Sequence, residues 1–173
     1  MSLATLKTKV EQLIEKAQSG GGDPYEVINS IINGTITEFY TEEPFTDTTQ
    51  NVGCLFNYCD KLTRWAMPNN TNNLGGYVFR RCSALTYIDI GKPSRCEVSL
   101  FYGKPLKGVS VVIRAETPPT LSNVFSGTAF DNTTVFYVPK NSIDLYKSAT
   151  NWSTYADNFK AIEDYPEITG GVI

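Results

Sequence analysis

The chain has 173 residues, of which 41% are hydrophobic and 19% charged, so it can bury one modest core and is not a disordered polypeptide. Its formal net charge of −3 and the lack of a Lys/Arg-rich run argue against a nucleic-acid-binding protein. Histidine, the commonest general base and transition-metal ligand, does not occur, and neither a phosphate-binding glycine loop nor a dinucleotide fingerprint is present. We therefore expect a non-enzymatic protein with no cofactor and no metal site.

The first segment predicts an amphipathic, coiled-coil-like helix over residues 1–19. Its apolar side chains recur at alternating spacings of three and four residues, which places them on one seam: Leu3, Leu6, Val10, Leu13 and Ala17. The seam from Leu3 to Ala17 covers only two heptads, and isolated helices under about 15 residues are marginal in water, so this seam needs a partner. That partner can be further copies of the chain, as in a trimer or another homo-oligomer, or a larger assembly. Packing back onto its own domain is the alternative.

A glycine-rich linker over residues 20–23 is predicted to separate this helix from the rest of the chain. A second helix is predicted over residues 24–34. Asp23 suits its N-cap, Pro24 its first position, and Gly34 lies just past its last turn. Because a terminal repeat exposes its core unless something covers it, we expect this helix to cap the domain that follows.

The sequence contains no run of 18 or more apolar residues that could cross a bilayer. The N-terminal segment interleaves charged and apolar residues and so lacks the apolar stretch of a signal peptide. We expect neither membrane insertion nor export by the general secretory route under a signal of its own.

A 23-residue repeat occupies the middle of the chain. The stretches FNYCDKLTRWAMP, from Phe56, and FRRCSALTYIDIG, from Phe79, carry apolar residues at the same offsets, which begin at turn spacing and end with strand alternation. Each unit therefore predicts one turn and one short strand. Two weaker units follow, one from Leu100 and one from Phe125, and the unit from Phe125 is longer than the others by two residues. Upstream of Phe56, the stretch TITEFYT supplies a half-formed first unit. Since no unit could bury its apolar side alone, we expect about five strands stacked over one core in residues 35–139.

The cysteines are predicted to be packing residues. Cys59 and Cys82 occupy equivalent repeat positions, and the spacing of the four cysteines matches no zinc motif. Free cysteine is among the most buried residue types, so small side chains stacked between units are favoured over a metal site. The distance and relative orientation of adjacent cysteines would decide whether they can form a disulfide.

Residues 140–173 predict a C-terminal cap and tail. Asn141 or Ser142 can cap, through its side chain, a helix that contains Ile143, Leu145 and Tyr146. Trp152 and Tyr155 can then lie over the last repeat. An exposed sheet edge invites aggregation, so an aromatic lid is expected at this end whatever the function.

These units, together with AETPPTLSNVFSGTAFDNTTVFYVPKNSIDLYKSATNWSTYADNFKAIED, resemble the BspA-type leucine-rich repeat of bacterial surface antigens and phage-encoded proteins. The closing cap of that family is matched most specifically, by Pro118, Pro119, Tyr137, Val138, Pro139, Tyr146, Lys147, Ala149, Trp152, Tyr155, Ala161 and Ile162. The resemblance covers about residues 35–165. It implies an α/β repeat, a short leucine-rich-repeat solenoid with helical caps, and an adhesive or structural role without chemistry.

The outward side chains of successive strands are expected to align on one face, which repeat proteins commonly use for binding. Arg64, Tyr87, Asp89 and Arg114 are the candidate ligand-binding residues on that face. The alternative for each is an ordinary solvated sheet surface.

A seam-bearing helix, a glycine joint and a compact repeat domain together resemble an accessory protein of a bacteriophage virion, such as a head fibre, a spike or a tail-associated adhesin. Located on the virion, the chain would contact copies of itself, other virion proteins and a bacterial surface protein or glycan. The alternative is a bacterial cell-surface or extracellular adhesin, or a module that binds host proteins.

Overall fold

The structure, a computed structural model, describes residues 33–34, 37–40, 56, 58–71, 73–74, 76–97, 107–122, 130 and 132–170. The predicted helix over residues 1–19 with its seam, the linker over 20–23 and nearly all of the helix over 24–34 lie outside the described residues. Of the last, only a turn at Asn33 and Gly34 is described, and Gly34 has the positive φ of +73° that favours glycine after a helix.

The described residues form an α/β fold with two parallel sheets and little helix. The eight strands are β1 (Glu38–Tyr40), β2 (Arg64–Ala66), β3 (Tyr87–Asp89), β4 (Arg95–Glu97), β5 (Ser110–Val112), β6 (Thr120–Ser122), β7 (Val135–Val138) and β8 (Phe159–Ala161). Six of them form one sheet in the order β1-β2-β3-β5-β7-β8, while β4 and β6 pair in a second, two-stranded sheet. The second sheet was not predicted.

The predicted 23-residue period appears as strand register. Arg64 pairs with Tyr87, and Tyr87 pairs with Ser110 on the next strand. From β5 to β7 the interval grows to 25 residues, since Ser110 pairs with Val135, which matches the two extra residues in the last unit. The larger sheet has six described strands rather than about five because the last extended segment, β8, also joins it.

Each repeat begins with the predicted turn. The Cys59 amide donates to the Phe56 carbonyl at 3.2 Å, and the equivalent bond from Cys82 to Phe79 measures 3.1 Å. The two copies of the motif therefore have the same local shape, a tight turn that leads into a strand.

One apolar core lies beneath the larger sheet. Its largest fully buried side chains are Trp65, Tyr146, Phe56, Phe79, Phe136, Leu62, Met67, Leu74, Ile88 and Ile113. Aromatic rings from neighbouring units are in contact. The ring centroids of Phe39 and Phe56 are 4.9 Å apart, and so are those of Trp65 and Phe79. Burial of a large aliphatic or aromatic side chain stabilises a fold by about 1.5–3 kcal/mol, so this shared interior holds the units together.

The described cysteines pack inside this core. Cys59, Cys82 and Cys96 are buried and unpaired by disulfides, while Cys54 lies outside the described residues. The Cys82 thiol donates to the Phe56 carbonyl at 2.9 Å. Burial raises the pKa of Cys96 to about 12, so this thiol stays protonated. The prediction of small buried packing residues is confirmed for these three.

The C-terminal cap closes the last strand. A 3₁₀ turn over Lys140–Ser142 leads into helix α1 (Ile143–Ser148), and further 3₁₀ segments span Ser153–Asn158 and Ile162–Asp164. Ser142 holds the N-cap position of α1, but its hydroxyl makes no capping bond, so the predicted side-chain cap is wrong. The 3₁₀ turn continues directly into α1 and leads the chain into it instead.

The aromatic lid is present as predicted. Trp152 donates its indole N–H to the Pro119 carbonyl at 2.9 Å. The ring of Tyr155 packs against that of Phe136, with 5.2 Å between the ring centroids. The Tyr146 hydroxyl donates to a buried carbonyl, that of Ala115, at 2.9 Å.

Within the described ranges, no helix is both long and apolar enough to span a membrane.

Candidate functional site

The four predicted binding residues lie in one groove. Arg64, Tyr87, Asp89 and Arg114 line a space of about 120 Å³ on the outer face of the larger sheet. Arg64 and Tyr87 are register partners on β2 and β3, so the repeat itself brings them together. The prediction that outward side chains align on one face is confirmed.

Asp89 and Arg114 form an ion pair inside this groove. Both Nε and Nη2 of Arg114 donate to the Asp89 Oδ2, at 2.9 and 2.8 Å, and the Gly91 amide donates to Oδ1 at 3.1 Å. Only 1% of Asp89 and 9% of Arg114 are exposed. Burial raises the pKa of Asp89, and the bonds from Arg114 oppose that rise. These charges satisfy each other, so we assign the pair to the fold and not to ligand contact.

Tyr87 is also enclosed, while Arg64 is half-buried. The Arg64 guanidinium lies 4.0 Å from the centre of the Tyr87 ring, within the range of a cation–π contact. Burial, together with the nearby Asp89 charge, raises the pKa of Tyr87, so its hydroxyl remains protonated at neutral pH. Arg64 is the only one of the four candidates that is not buried.

A C-terminal strap, defined as residues 165–170, covers the face. Beneath it lies a second apolar cluster made of Ala66, Tyr87, Val112, Tyr137 and Ile162. Tyr165 and Ile168 of the strap pack against this cluster, and the Tyr165 ring lies 5.4 Å from that of Tyr137. The alternative of an ordinary solvated sheet surface is therefore wrong for Tyr87, Asp89 and Arg114. Apolar residues at alternate strand positions were the sequence signal for a second covered face.

A different surface was missed at the sequence level. Tyr58, Tyr77, Arg80 and Arg81 form a tyrosine–arginine patch on the turns that precede β2 and β3. Tyr58 is 46% exposed and Tyr77 41%, and with Leu145 they are the exposed large hydrophobic side chains of the described part of the chain.

The repeat produces this patch directly. Tyr58 and Arg81 each lie two residues after the repeated phenylalanine, and both adopt a left-handed backbone, with φ of 66° and 62°. The Tyr58 amide donates to the carbonyl of Arg80 at 2.8 Å, which ties one turn to the next. Bulky residues immediately before each repeated cysteine could have identified the surface from the sequence.

The described residues offer no group of three or more Cys, Asp or Glu side chains arranged to hold a metal ion. In comparisons with known proteins, no protein-family model matches the chain and no curated protein matches it. The two surfaces, the strapped groove and the tyrosine–arginine patch, are therefore the basis for a functional proposal.

Proposed function

We propose that the chain is a short leucine-rich-repeat solenoid of the BspA type that acts as a non-enzymatic adhesion module on a bacteriophage virion. The observation that carries the adhesive part is the tyrosine–arginine patch, in which the exposed Arg81 guanidinium lies 5.1 Å from the ring centre of the exposed Tyr58. Tyrosine and arginine are enriched among the residues that dominate binding energy at protein surfaces.

Three features support the solenoid assignment. The turn-and-strand unit recurs with a 23-residue register, all strands of the larger sheet are parallel, and an aromatic lid covers its C-terminal end. The lid uses Pro119, Tyr146 and Trp152, which are among the residues that carry the family resemblance. Stacked repeats bury a continuous core and need such caps at their ends.

The distribution of polar groups supports a binding role. Inside the strapped groove, Asp89 and Arg114 neutralise each other and are buried, whereas Arg81 of the patch is exposed on its turn. A rigid parallel sheet holds those turns in fixed register, so the patch is pre-organised, which lowers the entropy lost on binding.

The virion assignment rests on the sequence of residues 1–22. Leu3, Leu6, Val10, Leu13 and Ala17 would form the seam that oligomerises the chain or attaches it to another virion protein, and the glycine linker would let the repeat domain face outward.

The first test is location. Particles purified from a producing culture by density gradient are expected to contain the chain, detected by mass spectrometry and by antibody labelling. Detection only in the cell envelope or the culture medium contradicts the virion assignment and favours the bacterial surface adhesin.

The second test is oligomeric state, measured as mass in native solution. We expect the full chain to be an oligomer and a chain without residues 1–22 to be a monomer. Leu6→Asp/Leu13→Asp should dissociate the oligomer because it places charge on the seam, whereas Lys9→Gln/Lys16→Gln should not. A monomeric full chain contradicts oligomerisation through the seam.

A further inference from the structure

We infer that the strapped groove binds a small zwitterion of the α-amino-acid type. This site is separate from the tyrosine–arginine patch, and the inference goes beyond the adhesive function proposed above. Arg64 and the Tyr87 hydroxyl bind the carboxylate of the ligand, and Glu38 and Glu167 bind its ammonium group. All four of these residues line the groove.

The Tyr87 hydroxyl is a polar group with no use in the fold. Only 6% of Tyr87 is exposed, yet its hydroxyl forms no hydrogen bond with any residue that the structure describes. The oxygen is not sealed in, so it is accessible from the groove that the residue lines. Burial raises the pKa of Tyr87, so the hydroxyl keeps its proton at neutral pH and can donate. Buried polar groups nearly always have a partner, and for this one the partner comes from outside the described chain.

Arg64 brings a positive charge that no carboxylate in the described ranges neutralises. Glu38 on β1 is its register partner, but the two side chains form no ion pair. The guanidinium lies instead over the ring of Tyr87 on β3, 4.0 Å from its centre. A cation–π contact uses the charge of the guanidinium and none of its N–H groups as hydrogen bonds, so these remain available to a carboxylate.

The groove presents charges of both signs. Asp89 and Arg114 neutralise each other, which leaves the guanidinium of Arg64 and the carboxylates of Glu38 and Glu167. Neither glutamate forms an ion pair with another described residue. A simple anion would meet two carboxylates, and a simple cation would meet a guanidinium. A zwitterion offers each of these groups its opposite charge, which is the complementarity that gives a site its specificity.

The size of the groove limits the size of the ligand. Its volume is about 120 Å³, and a protein cavity of about 150 Å³ accepts benzene. A molecule of roughly six non-hydrogen atoms, such as alanine, therefore fits better than a sugar ring with its hydroxyl groups. Ala66, Pro68 and Ile168 also line the groove and give a methyl-sized side chain an apolar surface.

The test is isothermal titration calorimetry of the full chain with L-alanine, propionate and L-alanine methyl ester. The titrations are made at about pH 6.5, where an α-amino group is protonated. Propionate lacks the ammonium group, and the ester lacks the carboxylate charge. We expect L-alanine to bind and each analogue to bind about tenfold more weakly or worse, because each loses hydrogen bonds to a charged group.

A matched pair of tyrosine variants tests the buried hydroxyl. Tyr87→Phe keeps the ring beneath Arg64 and removes only the oxygen, so it should weaken L-alanine binding about tenfold. It should not lower Tm, because the hydroxyl has no bond to lose within the described chain. Tyr137 is also 6% exposed and lies on the same face, but it does not line the groove. Tyr137→Phe should change the affinity less than about twofold.

Charge variants assign the two ends of the ligand. Arg64→Gln should weaken L-alanine binding about tenfold and leave the weak binding of the methyl ester unchanged, because the ester has no charge for it to bind. Glu38→Gln/Glu167→Gln should lower the affinity for L-alanine to that for propionate. Lys147→Gln removes a positive charge from an exposed position outside the groove and should change the affinity less than about twofold.

A wild-type chain that does not bind L-alanine overturns the inference. Propionate that binds as tightly as L-alanine also overturns it, because the glutamates would then take no part. Equal losses in Tyr87→Phe and Tyr137→Phe would place the ligand elsewhere, and a Tm lowered by Tyr87→Phe would show that the hydroxyl serves the fold; either result contradicts the proposed site. None of these results concerns particle location or oligomeric state, so the adhesive virion function stands or fails separately.

Discussion

Arg114, just beyond β5, reaches Asp89 at the end of β3 and bonds one carboxylate oxygen with two of its nitrogens, at 2.9 and 2.8 Å. The two residues are 25 positions apart in sequence, and the strands that they end or follow, β3 and β5, are neighbours in the larger sheet. The same carboxylate also accepts the Gly91 amide, so the ion pair fixes the chain where it leaves β3. This relationship determines how the outer face of the sheet responds to substitution.

Removing one partner of the Asp89–Arg114 ion pair is predicted to lower the free energy of unfolding more than replacing both partners with apolar residues. Arg114→Met or Asp89→Leu alone leaves one buried charge without its partner, and each should lower the free energy of unfolding by about 3–5 kcal/mol. The double variant removes both charges and should cost less than either single one. Urea unfolding of the four proteins measures the coupling. Additive losses would show that the pair does not act as a unit.

The pH dependence of stability should report the same carboxyl group. Burial raises the folded-state pKa of Asp89 above its ordinary 3.8, so the folded chain binds this proton more tightly than the unfolded chain. The contribution of Asp89 is therefore most favourable below about pH 3.8 and is lost as pH rises through the folded-state pKa. The free energy of unfolding of the wild type minus that of Asp89→Asn should fall from pH 3 to pH 7.

Asp89→Asn is a suitable reference because every other carboxyl group is common to both proteins and cancels. A difference that increases with pH would mean that attraction to Arg114 outweighs burial and lowers the pKa of Asp89.

Two glycines with similar backbone angles but different surroundings give a third prediction. Gly91 has a φ of +69°, and a Cβ there would lie 2.6 Å from the carbonyl oxygens of Met67 and Asn70. At Gly108, where φ is +64°, the nearest atom would be the Thr133 hydroxyl at 4.0 Å. Gly108→Ala should cost about 1–2 kcal/mol for the left-handed backbone alone. Gly91→Ala should cost a further 1–3 kcal/mol or so for the backbone clash.

Chemical denaturation of both glycine variants gives this difference directly. Equal costs would mean that the loop around Asn70 moves aside without penalty.

The period of the apolar residues was sufficient to predict the shared core and the strand register. The apolar residues that recur in the two 23-residue stretches were expected inside. Phe56, Leu62, Leu85 and Ile90 are among them and all four are buried, because a fixed offset within each unit returns the side chain to the same depth in the stack. The β4–β6 sheet was missed because it lies in the connections between core strands, where the sequence departs from the repeat.

The candidate site was predictable only in part. Arg64 and Tyr87 could be placed together from register alone, but the strap has no repeated counterpart, so its position over them left no periodic signal. The Asp89–Arg114 bond depends on the rotamer with which a long side chain reaches the neighbouring strand, and the spacing of residues does not determine that rotamer.

The strap provides the fourth prediction. Ile168→Asp places a charge against the second apolar cluster and should destabilise the fold by about 1–3 kcal/mol. Glu167→Ala, an exposed change in the same segment, should stay within about 0.5 kcal/mol of the wild type. Urea unfolding curves measure the stability of each variant. The fluorescence of an added apolar dye measures how far the second apolar cluster is exposed. If Ile168→Asp neither destabilises the chain nor raises dye binding, the strap does not cover the face in solution.

The two tryptophans form a matched pair for the last prediction. The Trp152 indole N–H donates to the Pro119 carbonyl, whereas the fully buried Trp65 indole N–H has no acceptor among the described residues. Replacement by phenylalanine removes the same atoms at both sites. Trp152→Phe also leaves the buried Pro119 carbonyl without its donor, while Trp65→Phe removes a donor that has no acceptor. Trp152→Phe should therefore lower the free energy of unfolding more than Trp65→Phe does, by about 1–3 kcal/mol.

Because the chain has only two tryptophans, each variant retains one fluorescent probe for its own urea titration. The opposite order, with Trp65→Phe the costlier change, would mean that ring packing against Phe56 and Phe79 outweighs the unpaired donor. The hydrogen bond that anchors the lid would then contribute less to stability than the edge-to-face ring contacts of the interior.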